Sequence, residues 1–575
     1  LIKLFRNLKP YRWLVVAVLV FVFFQTLSEL YLPTLMSDIV NKGVVTGDTP
    51  YIWKIGGFML LVALGGMACS IAASYFSSKA ATGFGKLLRG KVFKHVSNFS
   101  LEEFDTIGTA SLITRTTNDI TQVQQVLIMI LRMMVMAPMM CLGGIIMAVS
   151  KDATLSLVLV VILPVLAGAI FLIARKGLPL FKAIQKKIDK LNLVMRESLT
   201  GIRVIRSFNR TDYESKRFDA ANLDLTDTSI KVNKIMAFMM PIMMLVMNLS
   251  SVAIIWYGGL RIDAGHMQVG DLMAFLQYAM QIMFSLVMVS MMFVMIPRAS
   301  ASAIRINEVL DMVPVIKDSA AGSRSTEAKG LVEFQNVSFS YPGAEQPAVQ
   351  DITFTAKPGQ VTAIIGGTGS GKSTLISLIP RFYDVQEGNV RVDGVDVRDM
   401  TQEELRSKIG FVPQTAVLFS GTISENIRYG KEDATDEEVR RAAEIAQASD
   451  FIGKMEQGFD SPIAQGGTNV SGGQKQRLSI ARALVRPAEI YIFDDSFSAL
   501  DFKTDAKLRA ALKQETKEST VIIVAQRVST VLDADQIIVM NDSQIAGIGT
   551  HQELMESCDV YKEIVYSQLS EEEIA

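Results

Sequence analysis

The chain reads as an α-helical membrane domain of six spans with long helical extensions, followed by an α/β domain. Three observations lead there. Six apolar stretches, each longer than the roughly 20 residues a bilayer crossing requires, fall between residues 13 and 300. Charge is unevenly spread: 20% of the 575 residues are charged, yet few of them interrupt those stretches. After residue 330 an apolar strand, a glycine-rich loop and an apolar helix follow in that order.

The membrane half comes first. A mean hydropathy of +0.30 and 49% hydrophobic residues exceed what an ordinary soluble chain carries. The predicted spans are 13–36, 53–77, 122–149, 153–175, 236–260 and 272–296. The first is preceded by Lys3, Arg6, Lys9 and Arg12. It is too long for a signal-peptide core and has no small-residue cleavage site, so it reads as a retained span. "SKDATLS" between the third and fourth spans, "NKGVVTGDTP" and "RIDAGHMQVG" are short connections. Residues 77–120 and 175–235 are long and basic, with Lys79, Lys86, Arg89, Lys91, Lys94 and Arg115 in one and Arg175, Lys176, Lys182, Lys186, Lys187, Arg203, Arg206 and Arg210 in the other. The positive-inside bias puts both loops and both termini in the cytoplasm of a cell-membrane protein. Apolar residues at helical spacing predict that the spans continue as helices into these loops.

Two features inside the spans admit two readings each. Met236, Met239, Met240, Met243, Met244 and Met247 recur at helical spacing, as do Met288, Met291, Met292 and Met295. Such stripes are helix packing or a deformable wall for varied ligands. Glu29 is an acid within a span, where charge is costly. It is a water-facing residue or one with a substrate or proton role. Three cysteines (Cys69, Cys141, Cys558) make no disulfide framework, and a net charge of −1 gives no argument for nucleic acid.

"KDSAAGSRSTEAKG" (317–330) is a linker by composition. It divides the chain into a membrane domain over 1–315, a linker over 316–330 and an aqueous domain over 331–575. In "VTAIIGGTGSGKSTLISLI", Gly366, Gly371, Lys372 and Ser373 satisfy G-x-x-x-x-G-K-[ST] between a strand and a helix. Gly366, Gly367, Thr368, Gly369, Ser370, Gly371, Lys372, Ser373 and Thr374 form the expected phosphate loop. Glycines let backbone N–H groups face phosphate oxygens, Lys372 reaches the outer phosphates and Ser373 holds Mg²⁺. "IYIFD" (490–494) is an apolar strand ending in Asp494, on the Mg²⁺ side of the same site. The expected ligands are therefore a nucleoside triphosphate and Mg²⁺.

The chain resembles an ATP-binding cassette (ABC) exporter half-transporter over nearly its whole length. "NVSGGQKQR" (469–477) resembles the signature loop, with Ser471, Gly472, Gly473 and Gln474 as its nucleotide-facing residues. Gln414 matches the Q-loop, which the resemblance places on Mg²⁺ with Ser373 and Asp494. Tyr341 matches the aromatic that stacks on adenine, and "SALD" (498–501) the D-loop. The resemblance implies a second half-transporter as partner, with ATP held between the P-loop of one half and the signature of the other. It also implies coupling helices near Phe104 and Phe208, and, as further partners, membrane lipids and a hydrophobic or amphipathic small-molecule substrate.

Two positions depart from the family pattern. Asp495 stands where a water-activating Glu is usual, its carboxylate drawn back by about 1.5 Å; a misplaced general base costs on the order of 10²–10⁴ in rate. Gln526 stands where a switch His is usual. Together they predict a degenerate catalytic site beside an intact signature, as in one half of a heterodimeric multidrug-type exporter. A homodimer with two slow sites moving lipid or peptide, or a non-catalytic ATP-gated regulator or channel, are the alternatives. "IAQGGTN" before the signature also departs from the usual G-E-R-G form.

Overall fold

A computed structural model describes residues 1–318 and 329–568. Most of the linker expected over 316–330 lies outside the described residues, as do the side chains of Lys182 and Met291. The chain divides into two compact units. One comprises Leu1–Ser97 and Ala110–Met312, the other Asn98–Thr109 and Val313–Ala575.

The first unit is built on six long helices: α1 (Arg12–Asp38), α2 (Thr49–Val96), α3 (Ile120–Lys151), α4 (Leu157–Thr200), α5 (Thr211–Asp263) and α6 (Val269–Asp311). All six are long and apolar enough to cross a membrane. At about 1.5 Å per residue, the 48 residues of α2 and the 53 of α5 far exceed a bilayer's hydrocarbon of about 30 Å. The basic loops are thus helical continuations of the spans. Pro33, Pro138, Pro164, Pro179, Pro241 and Pro297 sit inside these helices. Membrane helices tolerate such breaks because neighbours and local adjustments satisfy the freed carbonyls. Small residues let the helices close up: a Cβ on Gly144 of α3 would stand 2.7 Å from Ile282 of α6.

Polar pairs tie the helix ends. In the turn between α3 and α4, Asp152 is buried. It accepts from the Leu155 N–H at 2.8 Å and from Arg261 of α5 at 2.9 and 3.0 Å. Lys151 pairs with Asp271 of α6 at 2.9 Å, and Ser37 of α1 donates to the same carboxylate oxygen at 2.7 Å.

The second unit holds two main sheets. β1 (Val332–Phe339), β2 (Val349–Ala356), β4 (Glu387–Val392) and β5 (Val395–Asp396) form an antiparallel sheet in the order β2-β1-β4-β5. β3 (Val361–Gly366), β6 (Ile409–Val412), β9 (Ile490–Asp494), β10 (Thr520–Val524), β11 (Gln536–Asn541) and β12 (Gln544–Gly549) form the second, in the order β12-β11-β3-β10-β9-β6. Short strands β7 (Gly421–Thr422) and β8 (Pro462–Ile463) pair separately. β11, β3, β10, β9 and β6 run parallel. Successive residues of a strand face opposite ways. Accordingly Ile364, Ile492, Ile522 and Ile538 enter one core, and Ile365, Phe493, Ile523 and Val539 the other. A sheet covered on both faces explains the unbroken apolar runs of these strands.

The segment Asn98–Thr109 belongs to this unit. Its helix Leu101–Ile107 opens on a capping box in which Glu103 Oε2 accepts from the Ser100 backbone N–H at 2.6 Å. Glu103 Oε1 accepts from the Val315 N–H at 2.8 Å, and the Tyr383 hydroxyl donates to Asp105 at 3.1 Å. Phe104 packs edge-on against Phe99. Phe208, after the short helix Ile202–Ser207 of the first unit, is exposed.

Candidate nucleotide site

In an open parallel sheet, ligands collect beyond the carboxyl ends of the strands. Four adjacent strands, β3, β10, β9 and β6, end together here. Ile364 and Asp494 both register with Val524 of β10. Gly366 therefore closes β3, Asp494 closes β9, Gln526 follows β10 by two residues and Gln414 follows β6 by two.

The loop after β3 depends on glycine at its ends. Gly371 has φ +94°, and a Cβ there would stand 2.3 Å from the Ala348 carbonyl oxygen. A Cβ on Gly366 would meet the Met540 carbonyl at 2.2 Å. Gly367, Thr368 and Gly369 are exposed, while Ser370 and Thr374 are buried. Lys372 opens α7 (Lys372–Leu378) and folds over the loop, donating to the carbonyls of Gly366 at 2.9 Å and Gly367 at 2.6 Å. Burial holds its ammonium below the usual lysine range, against the pull of Asp495 and Asp494.

Ser373 donates to Asp494 Oδ1 at 3.0 Å. Burial pushes the Asp494 carboxyl above its usual range; the Ser373 bond opposes this and the neighbouring Asp495 adds to it. Asp495 leaves the strand in the left-handed region, φ +44°, which is uncommon outside glycine and asparagine-type residues. Its Oδ2 accepts from Gln526 Nε2 at 2.9 Å and from Gln414 Nε2 at 3.3 Å. The loop carrying Gln526 is pinned from the far side. Gln568 donates to the Gln526 carbonyl at 2.8 Å and accepts from the Val528 N–H at 2.9 Å.

Tyr341 packs edge-on against Tyr383, and its hydroxyl lies 3.1 Å from Thr374 Oγ1. Ser471 caps α8 (Gly472–Leu484). Its N–H donates to Gln474 Oε1 at 2.8 Å, and its hydroxyl accepts from the Gln474 N–H at 3.3 Å. S-G-G-Q is thus a capping box that presents a helix N-terminus, a favourable place for an anion. Gly473 lies close under the Ala499 carbonyl, where a Cβ would stand at 3.1 Å. "IAQGGTN" folds on itself through Asn469, which accepts from the Ala464 N–H at 2.9 Å and also donates to the Pro462 carbonyl at 2.8 Å. Asp501 caps α9 (Phe502–Glu515), accepting from the Thr504 N–H at 3.0 Å.

In the membrane unit Glu29 is half-buried and accepts from Gln25 at 2.9 Å. The methionines do not share one environment: Met243 and Met292 are buried, whereas Met240 and Met244 are exposed. Sequence reasoning passed over Arg132, a cation inside the third span, though it visibly interrupts the apolar run. It also passed over Gln568, Tyr383 and Asp105, whose roles arise from contacts between distant segments and leave no local signal.

Comparison with known proteins follows the same division. Residues 15–286 match the ABC transporter transmembrane region and residues 349–498 match the ABC transporter domain. An uncharacterised ABC transporter ATP-binding protein of Mycobacterium tuberculosis is 45% identical over 98% of this chain and 97% of its own. The ATP-dependent lipid A-core flippase of Desulfotalea psychrophila is 36% identical over 81% of each. The structure of a bacterial Atm1-family ABC exporter with ATP bound superposes with a TM-score of 0.82, at 25% identity, covering 97% of this chain and 99% of that one. Membrane helices, cassette sheet, P-loop and signature thus occur together in one chain, and it belongs to the ABC transporters as an exporter half-transporter, an integral membrane protein whose transport is coupled to ATP hydrolysis.

Proposed function

We propose that this chain is the degenerate-site half of a heterodimeric exporter that moves hydrophobic or amphipathic compounds across the cell membrane, with its cassette in the cytoplasm. The observation that carries the reading is the pairing of a short carboxylate, Asp495, with Gln526 in a site whose other parts are present. Both amides that reach Asp495 converge on one oxygen. An amide side chain hydrogen-bonds a phosphate but carries no imidazolium charge. Such a site binds ATP and hydrolyses it slowly. The capping box at Ser471 leaves the signature helix free to complete the P-loop of the partner half, where hydrolysis resets the transporter.

Within its own site, Lys372 would meet the outer phosphates and Tyr341 would face adenine, and Ser373 and Asp494 would hold Mg²⁺ together with Gln414. The donor set fits that ion. Ser373, Asp494 and Gln414 offer hydroxyl, carboxylate and amide oxygens, the hard donors that ion takes, and Ser373 and Asp494 are already hydrogen-bonded to each other. Bound Mg²⁺ supplies charge neutralisation of the phosphates.

The test compares the full-length chain alone with the chain co-expressed with a half-transporter carrying Glu and His at the matching positions. Alone, it should bind ATP and turn over far below 1 s⁻¹; the pair should hydrolyse at about 1 s⁻¹ or faster, the low end of ordinary enzymes. Turnover of that order by the isolated chain would sink the asymmetric reading. A lipid substrate is the second reading, favoured by the likeness to a protein named a lipid A-core flippase.

A further inference from the structure

We propose that the cavity between α1, α3 and α6 binds organic cations with apolar bodies, and that Glu29 is the residue that selects positive charge. This deepens the exporter reading and rests on it. The cavity has a volume of about 350 Å³, and its wall includes Glu29, Met136, Met140, Met280, Phe284 and Met288. Glu29 lies nine residues before the end of α1 at Asp38, about 14 Å along the helix axis, well inside the apolar zone.

A carboxylate at that depth normally pairs with a cation of the protein or marks a ligand path. Among the described residues, no cationic side chain pairs with Glu29, and no Lys, Arg or His lines the cavity. Arg132 sits on α3 one turn before Met136, outside the lining. Glu29 Oε1 accepts from Gln25, which fixes the carboxylate without neutralising it. Gln281 of α6 donates to the Glu29 carbonyl at 3.2 Å, and its own Oε1 is buried without a partner.

The rest of the lining suits a cation's apolar part. Thioethers are polarisable and adapt to shape, and an aromatic ring face such as that of Phe284 attracts positive charge. A neutral or anionic ligand of the same size leaves the Glu29 charge uncompensated or repelled. A cation removes that cost on arrival.

The test uses full-length protein in nucleotide-free phosphatidylcholine nanodiscs, with tetraphenylphosphonium binding read by equilibrium dialysis. Tetraphenylborate, of matching size and opposite charge, and neutral N-phenyl-1-naphthylamine serve as controls. Saturable tetraphenylphosphonium binding is expected. Glu29→Gln should weaken it about tenfold or more, as expected for loss of a desolvated charge pair, and Glu29→Asp should weaken it less. Phe284→Ala, on the exposed rim, should weaken it roughly threefold or more and provides a second reading should Glu29→Gln misfold. The neutral control should be unchanged by Glu29→Gln, and tetraphenylborate should bind wild type no better than the variant. The proposal is overturned by absence of saturable cation binding to wild type, by a Glu29→Gln effect under twofold, or by equal loss of the neutral probe. Cation binding is read without ATP, so its outcome is separable from that of the turnover test of the asymmetric site.

Discussion

Gln526 Nε2 donates to Asp495 Oδ2 at 2.9 Å, so the two residues on which the proposed asymmetric site rests are bonded to each other. Gln414 donates to the same oxygen. Each of the two is therefore the hydrogen-bond partner of the other, and changing either alone disturbs a mutual contact.

Repair should accordingly be cooperative. Asp495→Glu with Gln526→His is expected to raise ATP hydrolysis of the assembled complex by about 10²-fold at this site, the lower end of what a positioned general base contributes. Asp495→Glu alone should gain less, because Gln526 still draws the carboxylate. Single-turnover hydrolysis in a complex whose other site is disabled measures this; a gain equal to the double change from either single change would contradict the coupling.

The buried Asp494 predicts a pH signature. Burial raises its folded-state value above that of the unfolded chain, so the ionised form opposes folding. This penalty is fully present above the folded value and is relieved as pH falls through it. Asp494→Asn should raise the thermal midpoint of the nucleotide-free protein at neutral pH, by about 2–4 °C for each kcal/mol relieved in a domain of this size. The gain should shrink on acidification, while Mg²⁺-dependent enhancement of ATP affinity disappears. A lower midpoint at pH 7 would refute the assignment.

Tyr383 links the segment Asn98–Thr109 to the cassette through Asp105. Burial, then Asp105, pushes its hydroxyl far above the ordinary tyrosine range, so it stays protonated as a donor at any working pH. Tyr383→Phe removes one hydrogen bond, worth about 1 kcal/mol. It should lower substrate-stimulated ATPase about fivefold in the assembled complex, with ATP affinity unchanged. Equal loss of ATP affinity would place the residue in the nucleotide site instead.

In the membrane unit, buried Asp119 accepts from Ser302 at 2.9 Å and from Arg305 Nε at 2.7 Å. Arg305→Met leaves that carboxylate with the serine and, since the arginine is itself half exposed, should cost about 1–2 kcal/mol. Adding Asp119→Asn should recover most of the loss, because the uncompensated charge goes with it. Thermal inactivation followed by size-exclusion chromatography reads both.

Much of this protein was legible from residue types at fixed spacing. The six spans follow from apolar length. The nucleotide motif follows from a loop whose own backbone does the binding. Helical continuation of the basic loops follows from their periodicity. These are local properties, determined within about a helix turn or a strand of each residue.

What only the tertiary structure decided depends on register and on neighbours far away in the chain. Parallel pairing places Gly366, Asp494, Gln526 and Gln414 at one sheet edge, although 160 positions separate the first from Gln526. The left-handed turn at Asp495 aims its carboxylate at two amides. Gln568 clamps the Gln526 loop. The methionines, uniform as a sequence stripe, divide between core and surface. The physical reason is common to all of these: a hydrogen bond or a cavity wall needs atoms within a few ångströms, and sequence spacing sets that distance only inside one element.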